Sequence, residues 1–460
     1  MIPAKVTTAR PLFANISRRN LAAWSAVAKK KVERIELPKE DVKITKLQNG
    51  LTVASLENHS PVSKIGVIIN AGSRYEDANN LGVTHYLRAC SHLATQGAST
   101  FAITRGIGDV GGSLEVTTSR DHATYAVQAL RGEPLESSLS YLTQVLSNPL
   151  FRSWEIADNV GRLQLDAAIA KQQTQVDLME RLHAAAFRNT LANSIYCPEH
   201  NIGKLSPSVL HDFRQKHYTS SNMALVGLGV DHGQLLSYAE SLNLQLGAVT
   251  AKAAPKYAGG EHSRQQSNDP LTQVVMATEG VALGSDDLLV SGVLQHYLNG
   301  APNIKRGTTV ATSKLNQAVA KSTSLPFSTS CINVNYTDSG LFGMYAVAPP
   351  EEMHSVLKAI VTECGAVTKG NIDAKDLQRA KNQLKASMLM SYENPETVFE
   401  DLATQTITTG NFVSVNDAVS KIDTITAQDI TTLAKRLFNQ KSTMAAAGNL
   451  INTPYLEQLL

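Results

Sequence analysis

The 460-residue sequence predicts an α+β fold made of two similar halves, and three observations support this prediction. Strand-like segments joined by hairpin turns alternate with segments of helical period, which favours mostly antiparallel sheets with helices packed on one face. A helix-loop-strand unit recurs after about 220 residues, as expected of two structurally similar halves. Between the two copies, residues 247–269 contain Ala-Ala-Pro, Gly-Gly and a polar run, which is a typical linker composition.

The first strands and helices follow from the spacing of apolar residues. Residues 42–56 alternate apolar and polar side chains around Asn49-Gly50, a dipeptide that suits the positive φ values of a tight hairpin. Residues 63–72 are predicted as a third strand. In residues 81–95 the apolar period becomes helical. Further helices are predicted over residues 133–145, 154–171 and 176–193.

The repeated unit starts at a helix N-terminus in each half. Ser206 is predicted as the cap of a helix with Pro207 at its first position, where a missing N–H costs nothing. That helix runs to His217 and is followed by a strand over residues 223–227. In the second copy, residues 426–438 form the helix and residues 444–448 the strand.

One glycine-rich segment, residues 106–111, matches the dinucleotide-binding pattern G-x-G-x-x-G. A phosphate-binding loop follows a strand and opens a helix, because the phosphate rests on the helix N-terminus. Here the glycines lead into residues 114–117, which alternate like a strand. The segment is therefore predicted to be a helix-to-strand turn.

The charges are divided unevenly along the chain. The whole sequence has 42 basic and 40 acidic residues, a formal net charge of +2, but residues 1–32 contain seven basic side chains and no acidic one. Without that segment 35 basic residues face 40 acidic ones, a net charge of −5. Residues 1–35 are typical of a mitochondrial transit peptide with an undetermined cleavage site; a solvated basic tail or an ordinary basic helix is the alternative.

Composition excludes several other classes of protein. No run approaches the roughly 18 apolar residues of a membrane span, and no large single-sign field indicates nucleic-acid binding. The four cysteines are far apart and form no C-x-x-C, so neither a disulfide framework nor a structural zinc knot is indicated.

The most informative segment is residues 81–89, Leu-Gly-Val-Thr-His-Tyr-Leu-Arg-Ala. It resembles the zinc helix of the pitrilysin-type peptidases and the mitochondrial processing peptidase, whose motif H-x-x-E-H follows a similar Gly-x-x-His lead. In that motif two histidines on one helix face bind zinc, and the glutamate activates the bound water. In the family a glutamate 77 residues after the second histidine is the third ligand. The resemblance places these positions at His85, Arg88, Ala89 and Asp166.

These four residues imply a degenerate site with no catalytic, cofactor-binding or metal-binding residue. His85 keeps the family's residue type, whereas Arg88 replaces the base, Ala89 the second histidine, and Asp166 shortens the third ligand. A guanidinium about 5 Å from a dication, at an effective dielectric of about 20, is repelled by roughly 7 kcal/mol. We expect no zinc, and a hydrogen-bonding role for His85.

Arg88 leaves two alternatives open. If the family fold holds, Asp166 lies close to the helix of Arg88, and an ion pair between them fills the space of the metal. Otherwise Arg88 points into solvent within a cleft. An Arg88 nitrogen within about 4 Å of an Asp166 oxygen distinguishes the two.

Other segments extend the resemblance over residues 37–460, among them residues 47–53, 71–76 and 336–343. The resemblance implies two peptidase-like domains, residues 37–247 and 270–460, joined by a linker over residues 248–269 into a clam shell. Residues 183–186, 305–307, 317–321 and 447–450 are similar to the core proteins of mitochondrial ubiquinol-cytochrome c reductase, respiratory complex III, a non-catalytic branch of the family.

Membership of that branch implies a structural role without a cofactor of its own, because haem and iron-sulfur centres belong to partner subunits. The expected partners are a second core protein, cytochrome b, the c-type cytochrome and the Rieske protein or its presequence. The expected place is the matrix side of the inner membrane, reached only through partners, in a dimeric complex. The alternative is the presequence-binding α subunit of the processing peptidase, although Ala301-Pro302-Asn303 replaces part of its glycine-rich loop. An active zinc peptidase is disfavoured by Arg88 and Ala89.

Overall fold

A computed structural model describes residues 41–242, 244–248, 250, 252–267, 269–299 and 313–459, which belong to one compact unit starting at Asp41. The predicted transit peptide and the segment containing Ala301-Pro302-Asn303 lie outside the described residues. In the described part of the chain, no helix combines the length and apolar character needed to cross a membrane.

The secondary structure alternates groups of strands with groups of helices. The strands are β1 Asp41–Lys46, β2 Thr52–Glu57, β3 Val62–Ile69, β4 Ser113–Thr118, β5 Ala123–Leu130, β6 Met223–Leu228, β7 Gly260–Gln266, β8 Thr272–Glu279, β9 Ser328–Asn335, β10 Gly340–Ala348 and β11 Thr443–Gly448. The helices of the first half are α1 Val83–Ala89, α2 Thr100–Asp109, α3 Glu133–Ser147, α4 Ser153–Asp158, α5 Val160–Gln172, α6 Thr174–Ala186, α7 Pro207–His217 and α8 His232–Ser241. Those of the second half are α9 Leu288–Asn299, α10 Lys314–Ser322, α11 Met353–Thr368, α12 Ala374–Ser391, α13 Pro395–Thr408, α14 Val415–Thr424, α15 Ala427–Phe438 and α16 Leu456–Leu459.

The two sheets share one topology, which confirms the predicted repeat. The first sheet has the order β1-β2-β6-β3-β5-β4 and the second β7-β11-β8-β10-β9. Apart from β1, each strand of the first sheet has a counterpart at the same place in the second. In each sheet one pair is parallel, β2 with β6 and β7 with β11, and the other pairs are antiparallel.

The predicted turns are confirmed. Gly50 has φ +87° in the hairpin between β1 and β2. In the G-x-G-x-x-G segment, Gly106 and Gly108 lie in α2, and Gly111, with φ +66°, turns the chain toward β4. Because a strand follows, this segment has no helix N-terminus to hold a phosphate.

Both copies of the repeated helix begin where predicted, but their caps differ. Thr426 and Asp429 form a capping box at the start of α15. Ser206 occupies the cap position of α7, yet its hydroxyl lies 2.8 Å from the Ser208 hydroxyl and bonds no backbone N–H.

Three predicted helices have different bounds in the structure. The helix predicted over 81–95 ends at Ala89, after which Thr95 bridges to Pro149. The helix predicted over 154–171 is divided at Asn159 into α4 and α5. The helix predicted over 176–193 ends at Ala186, because Phe187 is extended and bridges to Tyr257. In the first and third cases the helical spacing of apolar residues continues in the sequence, but a contact with a distant segment ends the helix earlier.

The linker is shorter than the predicted range of residues 248–269. Strand β7 begins at Gly260 and pairs in parallel with β11, so the carboxyl part of that range belongs to the second sheet. The prediction was wrong here because polar composition was taken to indicate a linker. In fact β7 is an edge strand, where polar side chains are tolerated.

Each sheet has helices of its own half on one face and a helix of the other half on its second face. Helix α6 packs on β7, β8 and β11, with Leu178 and Leu182 buried against Val275 and Ala445. Reciprocally, α13 packs on β2, β3 and β6. Its contacts join Phe399, Leu402 and Ala403 to a cluster that includes Ala54, Ile68 and Val226. The strands β6 and β11 are therefore buried along their whole length.

A buried arginine joins the halves at the seam. Nη1 of Arg74 lies 2.5 Å from Asp121 Oδ1, and its guanidinium binds both carboxylate oxygens of Asp338 at 3.0 and 2.8 Å. Asp121 in turn accepts hydrogen bonds from the N–H and hydroxyl of Thr337 at 2.9 and 2.8 Å. Ala253 of the linker accepts a further bond from Arg74 at 3.2 Å. The two sequence segments 71–76 and 336–343 thus contact each other directly.

Candidate functional site

The site helix α1 is held at its N-terminus by a buried carboxylate. Glu76 accepts hydrogen bonds from the N–H groups of Gly82 and Thr84 at 2.8 and 2.9 Å, and from the Thr84 hydroxyl at 2.6 Å. These are N–H groups that a helix leaves without an internal partner. Burial raises the pKa of Glu76 to about 7, against the opposing effect of the three bonds.

The glycine that begins the Gly-x-x-His segment is needed for a steric reason. Gly82 has φ +91°, and a Cβ there would lie 2.4 Å from the sulfur of Cys197. The same close approach lets the Cys197 N–H donate to His85 Nδ1 at 3.1 Å. A side chain at Gly82 would therefore displace the group that orients His85.

His85 is fully buried and neutral at physiological pH. Since Nδ1 accepts the Cys197 N–H, the ring proton is assigned to Nε2, which lies 3.4 Å from Asp166 Oδ2. Burial, and then the charge of Arg88, lower the pKa of His85 to about 4. The predicted hydrogen-bonding role of His85 is confirmed.

Arg88 forms the ion pair with Asp166. Its Nη2 lies 3.6 Å from Asp166 Oδ2, the same oxygen that faces His85. The side chains of Arg88 and Asp166 are 25% and 31% exposed, so solvent partly screens the pair. Tyr196 packs beside both basic side chains, its ring centroid 5.7 Å from that of His85 and 5.9 Å from the Arg88 guanidinium carbon. Of the two alternatives for Arg88, the ion pair is the one observed.

The four predicted positions therefore lie together, with Ala89 buried on the same helix. Glu76, Tyr196 and Cys197 were not predicted from the sequence as part of this site. Glu76 ends one of the segments that resemble the family, a signal that could have indicated it. Tyr196 and Cys197 lie more than a hundred residues from His85 in the chain, and their spacing carries no motif.

No group of three or more His, Cys, Asp or Glu side chains that could hold a metal occurs among the described residues.

The fold and this helix agree with comparisons to known proteins. Residues 52–199 match the family model Insulinase (Peptidase family M16), and residues 204–384 match Peptidase M16 inactive domain. The chain belongs to peptidase family M16.

Individual relatives match over nearly the whole chain. The chain is 45% identical to cytochrome b-c1 complex subunit 2, mitochondrial, of Homo sapiens, over 91% of this chain and 92% of that protein. It is 43% identical to the protein of the same name from Mus musculus, over 92% and 93%. A probable mitochondrial-processing peptidase subunit alpha-2 of Arabidopsis thaliana is 30% identical, over 90% and 83%.

Replacing Arg88 with methionine is expected to raise the pKa of His85, because it removes the positive charge that disfavours the imidazolium. The wild-type pKa near 4 lies below the unfolded value of about 6.5. His85 therefore contributes stability that is complete above about pH 6.5 and is lost as the pH falls toward 4. The unfolding free energy at neutral pH should fall by no more than about 1 kcal/mol, since the ion pair is partly exposed.

An NMR titration of the assigned His85 ring protons measures this change. Arg105→Met is the matched control, because Arg105 pairs with Asp109 at the surface, with 67% and 68% of the side chains exposed. A His85 pKa that stays constant or falls in Arg88→Met would contradict the assignment.

Proposed function

We propose that this chain is core protein 2 of mitochondrial respiratory complex III, a non-catalytic subunit that pairs with core protein 1 on the matrix side. The observation that carries the proposal is the 45% identity over 91% of the chain to the human subunit, together with Arg88 at the position of the catalytic base. The lower identity of 30% to a processing-peptidase α subunit favours this function over the presequence-receptor alternative.

The residues at the former metal position do not fit zinc. Asp166 Oδ2 faces both the Arg88 guanidinium and the ring of His85, so the Arg88 guanidinium is already the cation that pairs with this carboxylate. Ala89 offers no ligand atom, and a dication beside Arg88 would be repelled by several kcal/mol. The chain would therefore lack a complete set of zinc ligands and the general base for hydrolysis, and the proposed role of its fold is assembly.

The proposed role is to stabilise the complex that transfers electrons from ubiquinol to cytochrome c. The chain would hold no haem or iron-sulfur centre itself. Its contact with the inner membrane would run through partners, among them cytochrome b, the c-type cytochrome subunit and the Rieske protein. The mature body, with its net charge of −5, suits a compartment that receives basic presequences.

Isolation of the chain from mitochondria in mild detergent tests the assembly. A tagged chain should migrate on a native gel with b- and c-type haem absorbance and with core protein 1, and depletion of the chain should reduce the amount of that band. Migration as a soluble heterodimer without haem would instead support the processing-peptidase alternative.

Metal analysis of the purified chain is a separate expected result. We expect zinc well below one equivalent and no chelator-sensitive cleavage of presequence peptides, because the guanidinium occupies the metal position. The active processing peptidase serves as the positive control. Stoichiometric zinc together with chelator-sensitive cleavage would contradict the non-catalytic assignment.

A further inference from the structure

Arg214, in the last turn of α7, is a half-buried cation without a carboxylate partner among the described residues. Its guanidinium carbon lies 5.1 Å from the ring centroid of Tyr218 and 5.7 Å from that of Phe151. Its Nη2 donates to the backbone oxygen of Leu146. Burial lowers the pKa of Arg214, and no carboxylate counters this effect. A charge in such surroundings gains from a bound anion.

The guanidinium lines a small cavity of about 220 Å³. We call it the Arg214 cavity, and its polar lining is Ser147, His211, Arg214, Gln215, Tyr218 and Gln245. The hydroxyl oxygen of Ser147 is buried and has no hydrogen-bond partner in the described part of the chain. A buried hydroxyl without a partner is unfavourable, so a ligand or water that binds it is favoured.

Helix capping explains only part of this arrangement. Leu146 lies in the last turn of α3, where carbonyl groups have no partner inside the helix, and Arg214 satisfies one of them. A guanidinium has five N–H donors, and this bond uses one. Capping also leaves the buried Ser147 hydroxyl without a partner among the described residues.

We propose that the Arg214 cavity binds a phosphate group. A guanidinium donates in pairs to the oxygens of a phosphate, and the hydroxyl and two amides supply further donors around a tetrahedral anion. The guanidinium carbon lies over the rings of Phe151 and Tyr218, and these two contacts help to hold it in place. The negative end of the α3 dipole opposes an anion here, so we expect weak binding.

Calorimetric titration of the full chain with inorganic phosphate tests the site, with chloride at equal ionic strength as the reference. A second titration with glycerol phosphate distinguishes free phosphate from a phosphate monoester as the ligand. Saturable binding of either one, absent with chloride, is the expected result. Phosphate and glycerol phosphate that both behave like chloride would overturn the proposal.

The Gln215→Glu variant places a carboxylate in the cavity without removing the capping arginine. Gln215 is exposed, so the chain should fold, and the new charge should weaken phosphate binding at least about tenfold. Arg214→Gln should do the same. Lys216→Gln is the control, because it removes a neighbouring cation that pairs with Asp77 outside the cavity. Equal phosphate affinity in wild type, Gln215→Glu and Arg214→Gln would place the anion elsewhere and overturn the proposal.

Discussion

Replacing Arg74 with methionine is expected to lower the unfolding free energy by about 3–5 kcal/mol, because it leaves two carboxylates at the seam without their cation. The Arg74 side chain is 1% exposed and that of Asp121 4% exposed, so solvent screens their attraction very little. Burial alone would raise the pKa of Asp121, but the charge of Arg74 and hydrogen bonds from Arg74 and Thr337 hold it below its usual range. Without Arg74 the carboxylate becomes costly to bury.

Urea unfolding of the full chain, followed by circular dichroism, measures this effect. Arg105→Met is again the matched control, since that exposed pair is expected to contribute less than about 1 kcal/mol. The pH dependence gives a second readout. Because the folded pKa of Asp121 is depressed, its contribution is present above the unfolded value of about 3.9 and is lost as the pH falls below it. A loss under 1 kcal/mol in Arg74→Met would show that the seam does not depend on this charge.

Phe399→Ala is expected to cost about 3–5 kcal/mol, the usual range for removing a buried aromatic ring. Phe399 is 1% exposed and comes from α13 of the second half, but it packs on the first sheet. The ring lies so close to β3 that a Cβ on Gly66 would approach its Cζ to 2.7 Å. The Lys64 ammonium nitrogen lies over the Phe399 ring, 5.2 Å from the ring centroid. The surrounding backbone is fixed in the sheet, so the cavity should not close.

Thermal and urea unfolding of Phe399→Ala, compared with Phe101→Ala, measures this loss. Phe101 is 71% exposed, and its removal should change the unfolding free energy by less than about 0.5 kcal/mol. We expect both sheets to lose stability together in Phe399→Ala, because the helix that carries the ring belongs to the other half. Equal effects of the two substitutions would show that α13 contributes little to the first sheet.

Much of each half was predictable from local signals. The Asn49-Gly50 hairpin and the repeated helix-strand unit follow from residue types at fixed spacing. The family spacing placed Asp166 close to the helix of Arg88, but it left open whether the two side chains pair or Arg88 points into solvent, and the structure has the pair. The edge strand β7 was missed because its residues are polar.

Contacts between distant segments could not be predicted in this way. Helical periodicity shows that α6 and α13 have apolar faces, but not that each face covers the sheet of the opposite half. Arg74 and Asp338 are 264 residues apart, and nothing in the sequence around either residue indicates that the two form a pair. Cys197 acts on His85 through its backbone N–H, a group that every residue except proline has.

Each sheet is covered on one face by a helix of the other half. The first sheet therefore cannot be fully covered until most of the second half has been synthesised. The first sheet has all its strands once Leu228 has emerged, but the helix that covers its second face ends at Thr408. At about 5–20 residues per second, translation of the intervening 180 residues takes roughly 10–40 seconds. During that interval the apolar face that α13 covers is exposed, so a truncated first half should aggregate when produced alone.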